Sequence, residues 1–188
     1  MKCSIMTKDE IRLKMRAIRR ALTKEFITEA SDSIQSTILA LDCVRSAKTV
    51  MMYMSAFNEP KTDKLLNTLS GEGKRIAVPI SNADDYTITP SLITDGFIRG
   101  EYGIAEPETV SPVDVSEIDV AIIPAIAFDK RGMRLGFGKG YYDKFLAEFK
   151  GVKIGVGYEF QVLDALPVSA HDIGMDIIIT EKRGYNDF

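Results

Sequence analysis

Residues 124–143 read Pro-Ala-Ile-Ala-Phe-Asp-Lys-Arg-Gly-Met-Arg-Leu-Gly-Phe-Gly-Lys-Gly-Tyr-Tyr-Asp. They set a buried-looking strand, a turn, a glycine-rich loop and a helix start in unbroken succession. The strand is expected over Ile118 to Phe128, apolar after its first residues. The turn is Asp129-Lys130-Arg131-Gly132, the loop runs from Gly136 to Gly140, and a helix follows from about Tyr141 to Phe149. Outward from this unit the alternation of strand and helix continues. A capping box, Thr7-Lys-Asp-Glu10, opens a helix reaching about Leu22, and apolar spacing at Ile34, Ile38 and Leu41 marks a second over Thr28 to Leu41. A short helix is expected over Thr62 to Leu69, closed by Gly71-Glu-Gly73. Further strands are expected over Thr49 to Ser55, Arg75 to Ile80, Tyr86 to Leu92, Lys153 to Tyr158 and Met175 to Thr180. This rhythm predicts one α/β domain over residues 1–188, with a central, largely parallel sheet covered by helices on both faces. Residues 82–116 interrupt it and read as an insertion of antiparallel strands and loops.

The loop carries the chemistry. Three alternate glycines ahead of a helix let backbone N–H groups converge without interference from Cβ atoms. The helix N-terminus adds partial positive charge at the same place. Arg134 and Lys139 bring full charges, so phosphate is the ligand that suits the arrangement. Two familiar phosphate motifs do not fit. A Walker A loop needs Ser or Thr after its lysine, and Lys139 is followed by Gly140. A dinucleotide fingerprint counted from Gly136 meets Tyr141 where its last glycine belongs. The remaining structural reading is a glycine-rich connection that serves only a tight turn.

Bulk properties narrow the function classes. A net charge of −3 gives no support to a nucleic-acid or general membrane binder. No stretch approaches the roughly 18 apolar residues that span a bilayer. The opening residues lack the apolar run of a signal peptide, and Cys3 and Cys43 form no disulfide framework. A cytoplasmic location is expected. Neither cysteine has a histidine near it in sequence, and His171, the sole histidine, is assigned no catalytic part.

Lys8, Arg12, Arg16 and Arg20 recur every fourth residue and share one helix face, where like charges repel. Arg16 and Arg20 read as a solvated stripe partly neutralised by acidic neighbours. Glu59 follows a strand and precedes Pro60, and alone it reads as a loop carboxylate. Ligands of open α/β sheets do lie beyond the carboxyl ends of strands. Asp143, in a helix first turn, is either a dipole partner or a ligand for a hard cation.

The run Arg134 to Asp143 closely resembles the signature of the 5-formyltetrahydrofolate cyclo-ligase family, and the similarity extends over nearly the whole chain. Tyr53 to Glu59 resembles the family's strand-end segment with a substrate-contacting glutamate; Val78-Pro79 and the segment Tyr102 to Pro107 resemble its two proline-bearing segments. The resemblance implies ATP binding by Lys8 and Arg12 together with Arg134, Leu135, Gly136, Phe137, Gly138, Lys139, Gly140, Tyr141 and Tyr142. It implies that Lys139 and Arg134 act on the transferring phosphate, that Met54, Glu59 and Tyr102 contact the pterin, and that Asp143 and Asp172 hold Mg²⁺. The implied activity is ATP-dependent conversion of 5-formyltetrahydrofolate to 5,10-methenyltetrahydrofolate, with ATP and the folate as its partners; a monomer is expected. Two other readings use the same loop: a sugar-phosphate isomerase or CoA-transferase-like enzyme with Glu59 as base, and a non-catalytic nucleotide- or folate-binding module.

Overall fold

The computed structural model describes residues 6–94, 96–99, 104–167, 169 and 172–186. Thr7 opens α1 (Lys8–Arg20) with the expected capping box: its side chain accepts from the Glu10 N–H at 3.3 Å, and the Glu10 carboxylate accepts from the Thr7 N–H at 2.7 Å. Thr23 caps α2 (Lys24–Ala40), which therefore begins four residues before the expected Thr28. A short α3 (Asp42–Ser46), not anticipated from sequence, leads into β1 (Thr49–Met52). Then follow α4 (Asp63–Gly71), β2 (Arg75–Asn82) and β3 (Thr87–Leu92). Within the expected insertion, β4 (Phe97–Arg99) and β5 (Ala105–Pro107) form an antiparallel pair, and β3 returns antiparallel along β2. The remaining elements are β6 (Val120–Pro124), β7 (Ala127–Asp129), β8 (Arg134–Leu135), α5 (Tyr141–Glu148), β9 (Val152–Val156), β10 (Val162–Leu163), β11 (Ile177–Ile179) and β12 (Gly184–Tyr185).

The central sheet has the order β12-β11-β9-β6-β1-β2-β3. Its five inner strands are mutually parallel, and only the edges β3 and β12 are antiparallel. Alternate side chains of each strand feed opposite faces. Val50, Met52, Val120 and Ile122 pack under α2 and α4 against Ile34, Ile38, Leu65 and Leu69. Met51, Ala77, Ala121 and Ile123 pack on the other face against Phe145 and Leu146 of α5. The chain is thus an α/β domain with its largely parallel sheet covered on both sides, as the sequence leads one to expect. None of the helices is long and apolar enough to cross a membrane, among the described residues.

The single strand expected over Ile118 to Phe128 is two strands in two sheets. β6 ends at Pro124, while β7 joins a separate small sheet of order β10-β7-β8. Between them the carbonyls of Ala125 and Ile126 accept from the buried Gln161 side chain at 3.0 and 2.9 Å, and the Ile126 N–H donates to Leu135 O at 2.9 Å. These bonds satisfy the backbone at the break, so the strand can leave the main sheet without stranding buried polar groups. Phe128 then lies across β9 at Gly155, where a Cβ would sit 2.5 Å from its ring. The expected turn at Asp129 is present: β7 and β8 form a hairpin with Gly132 at φ +83, and the fully buried Asp129 carboxylate accepts from the N–H groups of Arg131, Met133 and Leu166. Ile11 and Met15 of α1 pack on this small sheet against Ile126, Ala127 and Leu135. That contact carries the cationic face of α1 to the glycine loop.

Candidate functional site

Strand order reverses at β1: the chain moves through α4 to β2 on one side, and β6 and β9 lie on the other. The crevice beyond the carboxyl ends of the two strands flanking such a reversal is where open α/β sheets bind ligands. A cavity of about 490 Å³ occupies that position, with Tyr53 and Met54 beyond β1 and Pro124 at the end of β6 in its wall.

One wall is the loop between β8 and α5. Gly138 and Gly140 take φ of +111 and +78, a region open to glycine and strained for other residues, and Gly140 caps α5 in the left-handed conformation. Gly136 has a different reason: a Cβ there would lie 2.8 Å from the Arg134 guanidinium. Cations of α1 grip the loop from above. Arg12 Nε donates to the Gly136 carbonyl at 3.1 Å and Arg16 to the Phe137 carbonyl at 3.3 Å, while Lys8 bonds Asp172 at 2.7 Å and Ser169 Oγ at 3.1 Å. Lys8, Arg12 and Arg16 all line the cavity. Arg16 and Arg20 are both exposed, as expected, but Arg16 also bonds the loop and lines the cavity, whereas Arg20 lies outside the cavity lining.

Arg134 and Lys139 differ sharply. Lys139 is exposed, its ammonium 5.9 Å from the centre of the Tyr86 ring, which itself meets Tyr141 edge-on at 5.7 Å. Arg134 belongs to β8 and is buried, with its guanidinium bonded to the Asp143 carboxylate and 5.5 Å from the Tyr142 ring centre. Its Nε has no hydrogen-bond partner among the described residues. Two residues with separate expected roles thus form one ion pair, and Lys8 with Asp172 forms another. Burial disfavours ionisation of Asp172, but the Lys8 ammonium and the Ser169 N–H outweigh it and hold the carboxyl below its ordinary pKa. No group of three or more His, Cys, Asp or Glu side chains among the described residues could enclose a metal ion unaided.

The segment after β1 turns back through Phe57 and Asn58, both at positive φ, to present Glu59. Glu59 is 8% exposed, and its carboxylate accepts from the Ala56 N–H at 3.1 Å and lies 3.5 Å from Arg19. Burial raises its pKa above the usual carboxylate value, with Arg19 and the Ala56 N–H opposing. Met54 is half-buried and lines the cavity with Glu59, as do Leu135, Phe137, Tyr141 and Tyr142. Tyr102, Cys3 and His171 lie outside the described residues. Sequence reasoning missed Arg19. The available signal was its place on the apolar stripe Ile11–Met15–Arg19, where a charged residue is out of character.

Residues 4–181 match the sequence model of the 5-formyltetrahydrofolate cyclo-ligase family. The chain belongs to that family. It is 29% identical over 187 residues to the 5-formyltetrahydrofolate cyclo-ligase of Mycolicibacterium smegmatis, covering 95% of each chain. Its fold is similar to that of the 5,10-methenyltetrahydrofolate synthetase of Aquifex aeolicus, with a TM-score of 0.86, 33% identity and coverage of 96% and 93% of the two chains. The synthetase from Mycoplasma pneumoniae aligns with a TM-score of 0.78 and 28% identity, over 94% of this chain and 99% of that one. In this cyclo-ligase family member, the resemblance drawn from the run Arg134 to Asp143 therefore extends over residues 4–181.

Proposed function

We propose that this chain converts 5-formyltetrahydrofolate to 5,10-methenyltetrahydrofolate at the expense of ATP, in the cytoplasm and as a monomer. Beyond family membership, one observation carries the reading. A single cavity is lined by the glycine loop, the α1 cations and Glu59 together, so a nucleotide and a reduced folate can meet within it. The triphosphate lies along residues 136–140, with Lys8, Arg12 and Lys139 supplying charge. The pterin lies towards Met54 and Glu59, whose carboxylate accepts from the ring N–H donors.

The formyl oxygen attacks the γ-phosphorus, the bond to the β-phosphate oxygen breaks, and ADP leaves. N10 then adds to the activated formyl carbon and gives up its proton, and phosphate departs with the former formyl oxygen as the ring closes. No nucleophilic side chain is needed. Lys139 and Arg134 act by stabilising charge on the transferring phosphoryl group, and the cavity acts by holding the reactants in contact. Asp143 suits a Mg²⁺ ion held mainly by phosphate oxygens: its side chain is 44% exposed and in the cavity wall, and such ions take only one or two carboxylates. Both carboxylates are already paired with a cation, and Asp172 is the weaker fit because its side chain is only 18% exposed. Bound there, the ion would neutralise charge building on the phosphates.

Calorimetric titration tests the reading. Separate binding of MgATP and of 5-formyltetrahydrofolate is expected, and absence of nucleotide binding would return the loop to a substrate-phosphate or CoA site.

A further inference from the structure

We propose that Arg19 is a positioning residue for the folate side of the site: its guanidinium fixes the 56–59 turn and so the place of the Glu59 carboxylate. The inference rests on the reading of Glu59 as the folate acceptor. Ile11, Met15 and Arg19 are 2%, 2% and 3% exposed and form one buried stripe of α1. Burying a guanidinium is costly, and another methionine would continue the stripe without that cost. What methionine could not do is hold the turn. Arg19 donates to the Phe57 carbonyl at 2.8 Å and reaches the Ala56 carbonyl and the Glu59 carboxylate at 3.5 Å each. The turn answers with a bond from Asn58 Nδ2 to the Arg19 carbonyl at 2.9 Å. Phe57 sits at φ of +50, a conformation that a bulky residue keeps only when its surroundings enforce it, beside Asn58 at +59, which asparagine adopts more readily.

Glu59 lines the cavity and Arg19 stands behind it, so Arg19 acts through Glu59. Arg19 Nε and one terminal nitrogen have no hydrogen-bond partner among the described residues, which is poor design for a group kept for stability alone. The same guanidinium lies 5.8 Å from the centre of the Phe137 ring, so it also touches the glycine loop. The titratable groups that face Glu59 are Arg19 from α1, Tyr53 beyond β1, Tyr142 of α5 and Tyr158 beyond β9. The three phenols are kept neutral by burial, and Tyr158 is pushed up to about 12. Arg19 is the cation of this set, and it favours ionised Glu59 against burial.

Two variants, Arg19→Met and Arg19→Lys, test this on the whole chain with two readouts. The first is the titration midpoint of Glu59 followed by NMR with ¹³C-labelled glutamate carboxyls; the second is calorimetry of 5-formyltetrahydrofolate and of ATP across pH. Arg19→Met is expected to raise the Glu59 midpoint, to speed exchange of the Ala56 amide, and to weaken folate binding about tenfold or more at neutral pH. Folate affinity should recover only in part as pH rises and Glu59 ionises, because the turn is still unheld, and ATP affinity should fall much less than folate affinity. Arg19→Lys should bring the midpoint back but not the full affinity, because an ammonium lacks the fork that holds the turn. An unchanged midpoint, Ala56 exchange and folate affinity in Arg19→Met would overturn the proposal. Should the unmutated chain bind no folate, the functional reading fails, while the midpoint and the Ala56 exchange still decide whether Arg19 positions Glu59.

Discussion

Lys139 and Arg134 look alike in the signature run and are expected to fail differently. Lys139 is exposed and in the loop, and removing it would delete the proposed charge-assisted phosphate contact, about 1.5–3 kcal/mol. Lys139→Ala should lower kcat/KM roughly 10- to 150-fold with the thermal midpoint unchanged. Arg134 is buried against Asp143, so Arg134→Ala should lower both activity and stability, the latter by about 1–3 kcal/mol because Asp143 is part-solvated. Activity of both variants close to that of the unmutated chain would refute the phosphate assignment. With Glu59 as the proposed pterin acceptor, Glu59→Ala would leave ring donors unpaired at about 1–3 kcal/mol, and calorimetry should read folate binding weakened roughly 5- to 150-fold. ATP binding should barely change; equal loss for both ligands would contradict the division of the site between the Glu59 turn and the glycine loop.

The hairpin of β7 and β8 aims Arg134 and the glycine loop, and Asp129 holds it together. Its carboxylate is 0% exposed and bonded by three backbone N–H groups and the Arg131 guanidinium. Asp129→Ala strands those donors and should cost about 3 kcal/mol or more in urea denaturation. A cost near zero would mean that the hairpin is held by its apolar contacts to α1. Elements with local causes were legible in sequence: the Thr7 box, the Asp129 turn and the start of α5 after Gly140 each follow from a few adjacent residues. The break between β6 and β7 was not. Its cause is the Gln161 side chain, 35 residues downstream, and an apolar run reads the same whether it stays in one sheet or crosses to another. The ion pairs Arg134–Asp143 and Lys8–Asp172 were hidden for the same reason, since residue types at a site do not reveal which of them satisfy one another.

Across the whole molecule, stability should follow the carboxylates. Burial opposes ionisation of Asp129, but the Leu166 N–H, the Arg131 guanidinium and other backbone donors outweigh it and hold its pKa below the ordinary 3.8. The Thr49 N–H holds Asp119 below that value against a smaller effect of burial, with the Lys48 N–H adding to it. A depressed folded pKa gives stability that is present above the unfolded value and is lost as pH falls through the folded one. Glu59, raised by burial, works in the opposite sense above its ordinary 4.5. The urea midpoint should therefore fall steeply below about pH 4, and more gently in Asp129→Asn; equal slopes would remove Asp129 from the acid transition. The site is assembled from α1, the turn after β1, the insertion and the loop after β8, segments that only the closed fold brings together. Their joint purpose is tested most directly by turnover. The protein, MgATP and 5-formyltetrahydrofolate are mixed, 5,10-methenyltetrahydrofolate is followed by absorbance, and released phosphate is counted in the same sample. Methenyl product should form only with both substrates present, with one phosphate released per product. Product without ATP, or ATP hydrolysis with no methenyl product, would contradict a cavity built to join the two.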